Sequence, residues 1–532
     1  MRAKHSILPI LGVFCLALVL ATLFSSRPPL AAQGTRAASA TAAQSVDFHE
    51  EVIAQIPEGT EVKEIIEAGD HVAWIQKKGN LWTVVLDGQT QGPAFERIDF
   101  LRFSSDGAHL AFFGKRDGKW ILIMESQERS PSYTYHTDVA FQPKGNSFAY
   151  SACTEKKKCQ LVVDGKQTGA EYEDISYPQY SDDGKRLAYF GKKHGKKWKW
   201  VAVVDGKETG PDLSGVDFRE WGFSAHTNRF YAAVLPVGAN WTYLVDDATG
   251  PSFVTLSPIA FSAGDEHFVY GGATSRGGLK KQGVTGTVVL DGKPGSSYEG
   301  SGMQGAWTLL LNYSQVMVSG TRDLDAGFQG ISNPKFNSSG KLVYALRNGK
   351  GDIVVMNGEQ TGPSFDDVVS DLVLTEDEQH IAYVARRGTD FVEVRDNQPG
   401  KTFPIDAKFG GIGWMWLSTD ASHLAYEIIR GGNTYNSGGT ARARRTVIID
   451  GQPGTEYNAF DISLVRFTKN GKHYFYRVIG ADGSRTLMVI DGKESKLYDF
   501  QTLGRFSSDE KSVAFVAKDS SRIVRVTASL PE

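Results

Sequence analysis

The chain has 532 residues, of which 41% are hydrophobic and 22% are charged. This composition is in the globular range, and the length excludes one ordinary domain unless the chain is built from repeats. The formal net charge of -3 gives no overall attraction to nucleic acid or to an anionic surface, although an average conceals how charge is distributed. Glycine is abundant, with 58 residues against 19 prolines, which suits many short strands joined by tight turns.

The N-terminal residues are typical of a secretory signal peptide. Basic residues precede an apolar run from Ile7 to Phe24, and a tract of small residues follows. We predict a signal peptide over residues 1–32 and an Ala/Ser-rich linker over 33–45, with cleavage after Ala32 or after Ala40. The alternative is an uncleaved anchor, because roughly 18 apolar residues can span a bilayer. The chain is expected to be exported, to a periplasmic or extracellular location.

Two cysteines remain beyond the apolar run, Cys153 and Cys159 in SACTEKKKCQLV. A five-residue polar loop separates them between two strand-like runs, so we expect them to face each other across a hairpin. In an oxidising compartment this pair predicts a structural disulfide. A metal site needs more ligands than the pair offers, and the C-x-x-C spacing of redox catalysis is absent.

A repeated unit runs through the rest of the chain, as in residues 98–125, 175–206 and 499–526. Each copy has an aromatic residue before a Ser/Asp/Gly turn, then an apolar strand, a basic polar loop and a second apolar strand. That second strand usually ends in an Asp-Gly pair such as Asp87-Gly88, which indicates a tight hairpin because both turn residues need positive φ. A tail of the form x-x-T-G-P-x-aromatic follows, and its proline suits an edge strand.

The Asp-Gly turns recur about every 40 residues, the length of one four-stranded propeller blade. We therefore predict an all-β fold of β-propeller repeats with four-stranded blades. Roughly eleven copies exceed the usual four to eight blades of one ring, and the longest gap follows Gly292. We predict two tandem propellers, residues 46–300 and 301–532, with one large ring as the alternative. The last copy lacks an outer strand, which we expect residues near 46–53 to supply, protecting the edge of the ring.

These repeats resemble the WD-like propeller repeats of the TolB type. The hallmark stretch F-S-x-D-G-x-x-L-A-Y is present as FSSDGAHLAF (103–112), as YSDDGKRLAY (180–189) and more loosely as LSTDASHLAY (417–426). The resemblance covers roughly residues 50–530 and implies the propeller fold. It does not imply one function, since such propellers serve as scaffolds, envelope partners and appendages of hydrolases.

No motif in the sequence demands catalysis. There is no H-E-x-x-H, no G-x-S-x-G and no hydrolase segment after the propeller. Histidines such as His109 and His423 hold equivalent positions in separate repeats, so we do not expect them to converge on one ion. We predict no catalytic residue, no metal site and no cofactor.

The loops joining the second and third strands of each repeat are rich in lysine and arginine, whereas the loops joining the first and second strands are acidic. A propeller places these two loop sets on opposite faces, so one face is predicted to be positive. The candidate residues for contact with an anionic partner are Lys115, Arg116, Lys157, Lys192, Lys196, Lys280, Arg386, Arg442, Arg444 and Arg445. The alternative is solvated charge that prevents edge-to-edge association.

A second set of candidates lies on putative first strands, which line a propeller's channel: Arg102, Lys335, Trp416, Arg466 and Arg505. Arginines stay protonated, so this set indicates anion binding rather than turnover. We predict an exported, non-enzymatic binding or scaffold protein of the cell envelope. Its expected partner is an envelope protein or an anionic glycan or lipid surface, and not nucleic acid. The alternatives are a channel-mouth enzyme acting on a glycan or peptide, and a membrane-anchored sensor ectodomain.

Overall fold

The computed structural model describes residues 46–531, apart from 156–157, 196–198, 263, 277–282, 302–315, 318–334, 337–341, 348–351, 357–358, 371, 376–379, 405–408, 431–443 and 482. The regular secondary structure of these described residues consists of strands, paired antiparallel. This confirms an all-β propeller fold. No helix of the described part is long and apolar enough to cross a membrane. The predicted signal peptide and linker lie outside the described residues.

Within the described residues the strands form nine sheets, which differ in size. Three sheets have four strands: Thr60–Ala68, His71–Lys78, Leu81–Leu86 and Gln89–Phe95; Arg97–Phe103, Leu110–Arg116, Lys119–Met124 and Gln127–Glu128; and Lys335–Phe336, Leu342–Arg347, Asp352–Met356 and Glu359–Phe365.

Four sheets have five strands: Tyr135–His136, Ala140–Phe141, Phe148–Glu155, Lys158–Val163 and Lys166–Tyr172; Thr255–Leu256, Ala260–Phe261, Phe268–Arg276, Gly283–Leu290 and Lys293–Ser301; Asp367–Val368, Val373–Leu374, Ile381–Arg387, Asp390–Arg395 and Gln398–Pro404; and Asp47–Gln55, Phe500–Gln501, Arg505–Phe506, Ser512–Asp519 and Arg522–Ser529.

Two sheets have eight strands: Asp174–Ile175, Gln179–Tyr180, Leu187–Lys193, Lys199–Val204, Lys207–Phe223, Phe230–Pro236, Thr242–Val245 and Ala248–Thr249; and Val316–Met317, Phe409–Leu417, Leu424–Arg430, Arg444–Ile449, Gln452–Phe467, Tyr474–Gly480, Thr486–Ile490 and Lys493–Glu494.

A uniform set of four-stranded blades is therefore not what the structure shows. In the five-stranded sheets the strand that opens the repeat, called the first strand below, is split into two short pieces. In the eight-stranded sheets one long strand, Lys207–Phe223 or Gln452–Phe467, ends one repeat and opens the next. Splitting and fusion of strands change the number per sheet without changing the order of the repeat.

The hairpins that close each repeat have the turn chemistry that the Asp-Gly pairs predict. Asp87 and Gly88 have φ of 49° and 81°, and Asp491 and Gly492 have φ of 49° and 78°. Glycine adopts this region without steric cost, and aspartate tolerates it better than most residues. The period of the repeat is thus set by turns that few other residue pairs can form.

Each repeat buries its apolar faces against its neighbours. Phe113 of one sheet packs with Tyr150 of the next, and Trp74 of the first complete sheet packs with Val516 and Ile523 of the last one. The first and last repeats are therefore neighbours. Two tandem propellers, residues 46–300 and 301–532, are not supported, because a separate second ring would place its last repeat against its own first one.

The N-terminal strand completes the last sheet. Asp47–Gln55 pairs antiparallel with Arg522–Ser529, and the hydroxyl of Tyr498 donates to Glu50 at 2.7 Å. This strand covers what would otherwise be an open sheet edge.

Candidate functional site

The first strand of most repeats contains a break in its pairing. In Arg97–Phe103 the register shifts between Asp99 and Arg102, and in Phe409–Leu417 it shifts between Ile412 and Met415. Such bulges redirect side chains away from the regular sheet faces and are frequent at functional sites.

A serine or threonine hydroxyl replaces the missing backbone acceptor in several breaks. The backbone N–H of Phe190 donates to Ser176 Oγ at 2.8 Å, and the N–H of Ser176 donates back to the Phe190 carbonyl at 2.8 Å. The same exchange recurs in the pairs Thr137 with Ser151, Ser257 with Gly271, and Thr502 with Val516. The hydroxyl therefore accepts the backbone N–H that the break would leave without a partner. Because the buried backbone groups are paired in this way, the break is a regular part of the repeat.

Five breaks present a large apolar side chain to solvent. Phe100, Tyr177, Phe218, Trp414 and Leu503 are each between 38% and 46% exposed. First strands face the central channel in a propeller, so these side chains point away from the sheet-to-sheet core. An exposed apolar side chain thus recurs in the breaks of several first strands, which makes these residues candidates for contact with a partner.

Charged side chains of the first three repeats meet beside Phe100. Arg102 donates to Asp138 of the next repeat, and Lys63 Nζ lies 3.8 Å from Asp99 Oδ1. Glu64 lies in the same group, and the charges of Arg102, Asp138 and Asp99 all affect its pKa.

Two carboxyl groups of this cluster have perturbed acidity. Burial raises the pKa of Glu64, against the opposing charges of Lys63 and Arg102, and the charges of Asp138 and Asp99 make smaller additions to the increase. Burial also raises the pKa of Asp138, against the opposing effect of Arg102. Half-buried carboxyl groups with a raised pKa are candidates for proton donation or for hydrogen bonding to a ligand.

A second charged cluster lies in the repeats that follow residue 409. Arg445 donates to Glu427 at 2.7 Å, and both side chains are almost fully buried. Arg445 also lies 3.8 Å from Asp461. A Cβ at Gly413 would lie 2.0 Å from Glu427 Oε2, so the carboxylate occupies the space that this glycine leaves beside Trp414. Burial raises the pKa of Glu427, while Arg445 opposes the increase.

The predicted channel-lining residues all lie on first strands, in different environments. Arg102 and Arg466 are exposed. Arg505 is half-buried and donates to the Gly69 carbonyl, and Lys335 is also half-buried. Trp416 packs against the hydrophobic core. The structure therefore brings Arg102 into a charged cluster and places Trp416 against the hydrophobic core.

The predicted basic face is largely neutralised where the structure describes it. Arg116 pairs with Glu128 at 2.8 Å, and Arg444 pairs with Glu456 at 3.0 Å. Lys192 is buried, 3.6 Å from Glu173. Arg445 is buried beside Glu427, so neither Lys192 nor Arg445 is the exposed contact that the sequence suggests.

The other members of that face divide into two groups. Lys115 Nζ lies 5.5 Å from the ring centroid of Trp120, a cation–π contact, and Arg386 is half-buried on a strand paired with Asp367. The remaining predicted residues lie outside the described residues: Lys157, Lys196, Lys280 and Arg442.

The two cysteines form a disulfide. Cys153 and Cys159 are directly paired across their hairpin, and their sulfur atoms are bonded at 2.08 Å. Both side chains are buried between two repeats. This places the disulfide in the core rather than in a reactive, exposed position.

The histidines hold repeat turns in place. His109, His423 and their equivalents each contact the acidic residue of the turn that ends the same repeat. Among the residues that the structure describes, no three His, Cys, Asp or Glu side chains are grouped to hold a metal ion.

Glu64, Asp138 and Glu427 are not among the residues that the sequence predicts for a site. The sequence does contain an indication that Glu427 is unusual, because this carboxylate lies in the middle of the apolar stretch LAYEII. Asp138 has none, since its partner Arg102 lies in a different repeat, 36 residues away.

No family model matches this chain, and no curated protein is similar to it. Among solved structures, it is similar to a eukaryotic initiation factor, with 12% identity over 75% of this chain and 96% of that one and a TM-score of 0.39. It is also similar to an oligogalacturonate lyase from Vibrio parahaemolyticus, with 11% identity, 92% and 97% coverage and a TM-score of 0.26. The Swd1 propeller domain of Myceliophteria thermophila is similar as well, with 10% identity over 60% of this chain and 99% of that one and a TM-score of 0.25. Matches at this level do not indicate what the chain binds.

Proposed function

We propose that this chain is an exported, non-enzymatic binding or scaffold protein of the cell envelope, which holds its partner at the first strands of the propeller. The observation that carries the proposal is the set of exposed apolar side chains in the breaks, Phe100, Tyr177 and Trp414 among them. These side chains recur in the breaks of separate first strands, where they are exposed and available to a partner.

Export is supported by two separate features. The apolar run from Ile7 to Phe24 is typical of a signal peptide, and a buried disulfide such as Cys153–Cys159 suits an oxidising compartment. N-terminal sequencing of the protein from its own cells tests this. A first residue near 33 or 41 is expected, whereas an intact N-terminus would favour the anchored sensor.

Docking on an anionic partner through the basic loops has less support. Arg116 and Arg444 are each paired with a glutamate, and Lys192 is buried. Exposed charge contacts are screened by salt, whereas apolar contacts are not. Binding through the basic loops should therefore weaken at high salt, whereas binding through the exposed apolar side chains should not.

The test is an affinity pull-down from envelope extract at low and at high salt. The wild-type protein is compared with a variant carrying Phe100→Ala, Tyr177→Ala and Trp414→Ala. The matched control carries Leu81→Ala and Val237→Ala, which remove exposed apolar side chains elsewhere on the repeats. A partner retained at high salt and lost only in the first variant is expected. If the first variant still binds the partner, the proposal is contradicted. If the wild-type protein loses the partner at high salt, the basic loops are the better candidate for the docking surface.

A channel-mouth enzyme is the second candidate, favoured by Glu64 and Asp138. Burial raises the pKa of both carboxyl groups, and a raised carboxyl pKa favours proton donation in catalysis. Turnover of glycan or peptide substrates that disappears in Glu64→Gln would establish this role. No turnover by wild-type protein would remove it.

A further inference from the structure

We propose that the first strands bind a neutral, repeating sugar polymer, whose rings stack on the exposed aromatic side chains of several repeats. This inference rests on the proposed function and names the ligand class of the same surface. A sugar ring offers an apolar C–H face and a hydroxyl edge, so it is recognised by an aromatic face with a hydrogen-bonding group beside it.

Phe100 shows how the surface is built. Its φ is 56°, and it is the only aromatic residue with positive φ among the described residues. An aromatic residue adopts this conformation only where its surroundings enforce it, and such strain is concentrated at functional sites. The ring stands edge-on to His136 of the next repeat, with centroids 5.6 Å apart, and it remains 43% exposed.

Tyr177 repeats the arrangement in a different sheet. Its ring centroid lies 5.6 Å from that of Trp221 in the next repeat, which supports one side of the ring and leaves another open. The side-chain amide of Gln179 donates to the Tyr177 hydroxyl at 3.0 Å. An aromatic surface and a polar group are therefore joined within one break.

Trp414 provides a third position, in a distant part of the chain. It is 42% exposed, and the Glu427 carboxylate lies beside its break, in the space left by Gly413. Phe218 occupies the corresponding break of another repeat, standing edge-on to Phe190 with centroids 5.9 Å apart. Each of these rings is braced by buried neighbours or set beside a fixed carboxylate.

The charges near these rings favour a neutral ligand. Arg102 is paired with Asp138 beside Phe100, and Arg219 is paired with Asp217 at 2.7 Å beside Phe218. Because positive and negative groups are matched locally, neither a polyanion nor a polycation gains from the surface as a whole. The paired side chains can still donate hydrogen bonds to sugar hydroxyls and accept hydrogen bonds from them.

The repetition favours a polymer over a single sugar. One aromatic contact contributes little, but a chain that reaches several repeats binds through several at once. Affinity should therefore rise steeply with the number of sugar units.

Calorimetric titration of the mature protein tests this inference. The probes are cellohexaose, chitohexaose, maltohexaose and xylohexaose, each compared with its monosaccharide, with hexagalacturonate and hexalysine as charged controls. We expect one neutral hexamer to bind, its monosaccharide to bind at least tenfold more weakly, and the charged chains not to bind.

Single variants Phe100→Ala, Tyr177→Ala and Trp414→Ala are each expected to weaken binding about threefold to tenfold, the range for loss of one aromatic contact. Leu81→Ala should bind as wild type, and near-ultraviolet circular dichroism checks that each variant is folded. Absence of binding by all four neutral hexamers, preference for hexagalacturonate, or unchanged binding by the three aromatic variants would overturn the assignment. If the envelope partner is still lost in the triple variant while no hexamer binds, the proposed function stands and only the sugar assignment fails.

Discussion

The Nδ1 atom of His473 lies 2.7 Å from Oδ2 of Asp491, across the base of the hairpin that Asp491 closes. The other carboxylate oxygen, Oδ1, accepts the backbone N–H of Tyr474 at 2.9 Å. Asp491 therefore has two roles, since it forms the positive-φ turn and also fixes the strand that begins the hairpin. The same arrangement joins His71 to Asp87 and Val72.

Replacing Asp491 by asparagine tests this double role. Asparagine tolerates positive φ but cannot accept two charge-assisted bonds, so we expect the free energy of unfolding to fall by about 1–3 kcal/mol. The control is Asp87→Asn, where the His71–Asp87 pair is more exposed and the loss should be smaller. Denaturant unfolding provides the measurement, and equal losses at the two positions would contradict the argument.

The buried pair Arg445–Glu427 predicts a non-additive effect. Removing Arg445 leaves the buried Glu427 without its cation, and removing Glu427 leaves Arg445 with Asp461 at 3.8 Å, so Glu427→Ala or Arg445→Ala should each cost about 3–5 kcal/mol. The double variant Glu427→Leu/Arg445→Met should recover most of that loss. The exposed pair Arg116–Glu128 is the control, with an expected effect of about 0–1 kcal/mol. Additive losses in a double-mutant cycle at the buried pair would rule out this account.

The turns and the repeat could be predicted because their determinants are local. In FSSDG, Ser104 Oγ accepts the backbone N–H of His109 at 2.9 Å, and Asp106 accepts the N–H of Ala108 at 3.0 Å. The Ser104 hydroxyl also donates to Asp106, and this bond together with the one from Ala108 lowers the pKa of Asp106. All partners lie within five residues, so the sequence motif contains the whole structure of the turn.

The site could not be predicted in the same way. The break at Asp99 and Arg102 depends on pairing with a neighbouring strand, and the acidity of Asp138 depends on Arg102 in another repeat. The basic loops were visible, but the glutamate that neutralises Arg116 lies on a different strand. A list of charges along the chain does not show which of them are paired.

His136 predicts a dependence of stability on pH. Its ring stacks on Phe113 at 3.7 Å, and burial lowers its pKa from 6.5 to about 4. As the pH falls from 6.5 to 4, the unfolded chain takes up a proton at this position that the folded chain does not. Stability is therefore full above pH 6.5 and decreases by about 3 kcal/mol as the pH falls through this window.

Comparison with His136→Phe isolates this contribution from that of the acidic residues. The variant keeps an aromatic ring against Phe113 but has no proton to bind, so its unfolding free energy should change less between pH 6.5 and pH 4. Denaturant titrations at half-unit pH intervals provide the two curves. Parallel curves would show that His136 titrates normally in the folded protein.

The N-terminal strand predicts that the last repeat depends on the residues before Ile56. Asp47–Gln55 pairs along Arg522–Ser529, and Lys496 lies 2.8 Å from Glu50. A chain that begins at Ile56 exposes Arg522–Ser529 as an unpaired edge, which promotes association with other chains. We expect this chain to self-associate and to melt at least about 5 °C lower, whereas a chain beginning at Val46 should remain as stable as the mature protein. Light scattering after size-exclusion chromatography measures the association, and a peptide of residues 46–55 added in trans should reverse it. If the shorter chain is monomeric and melts unchanged, the strand is not required to close the propeller.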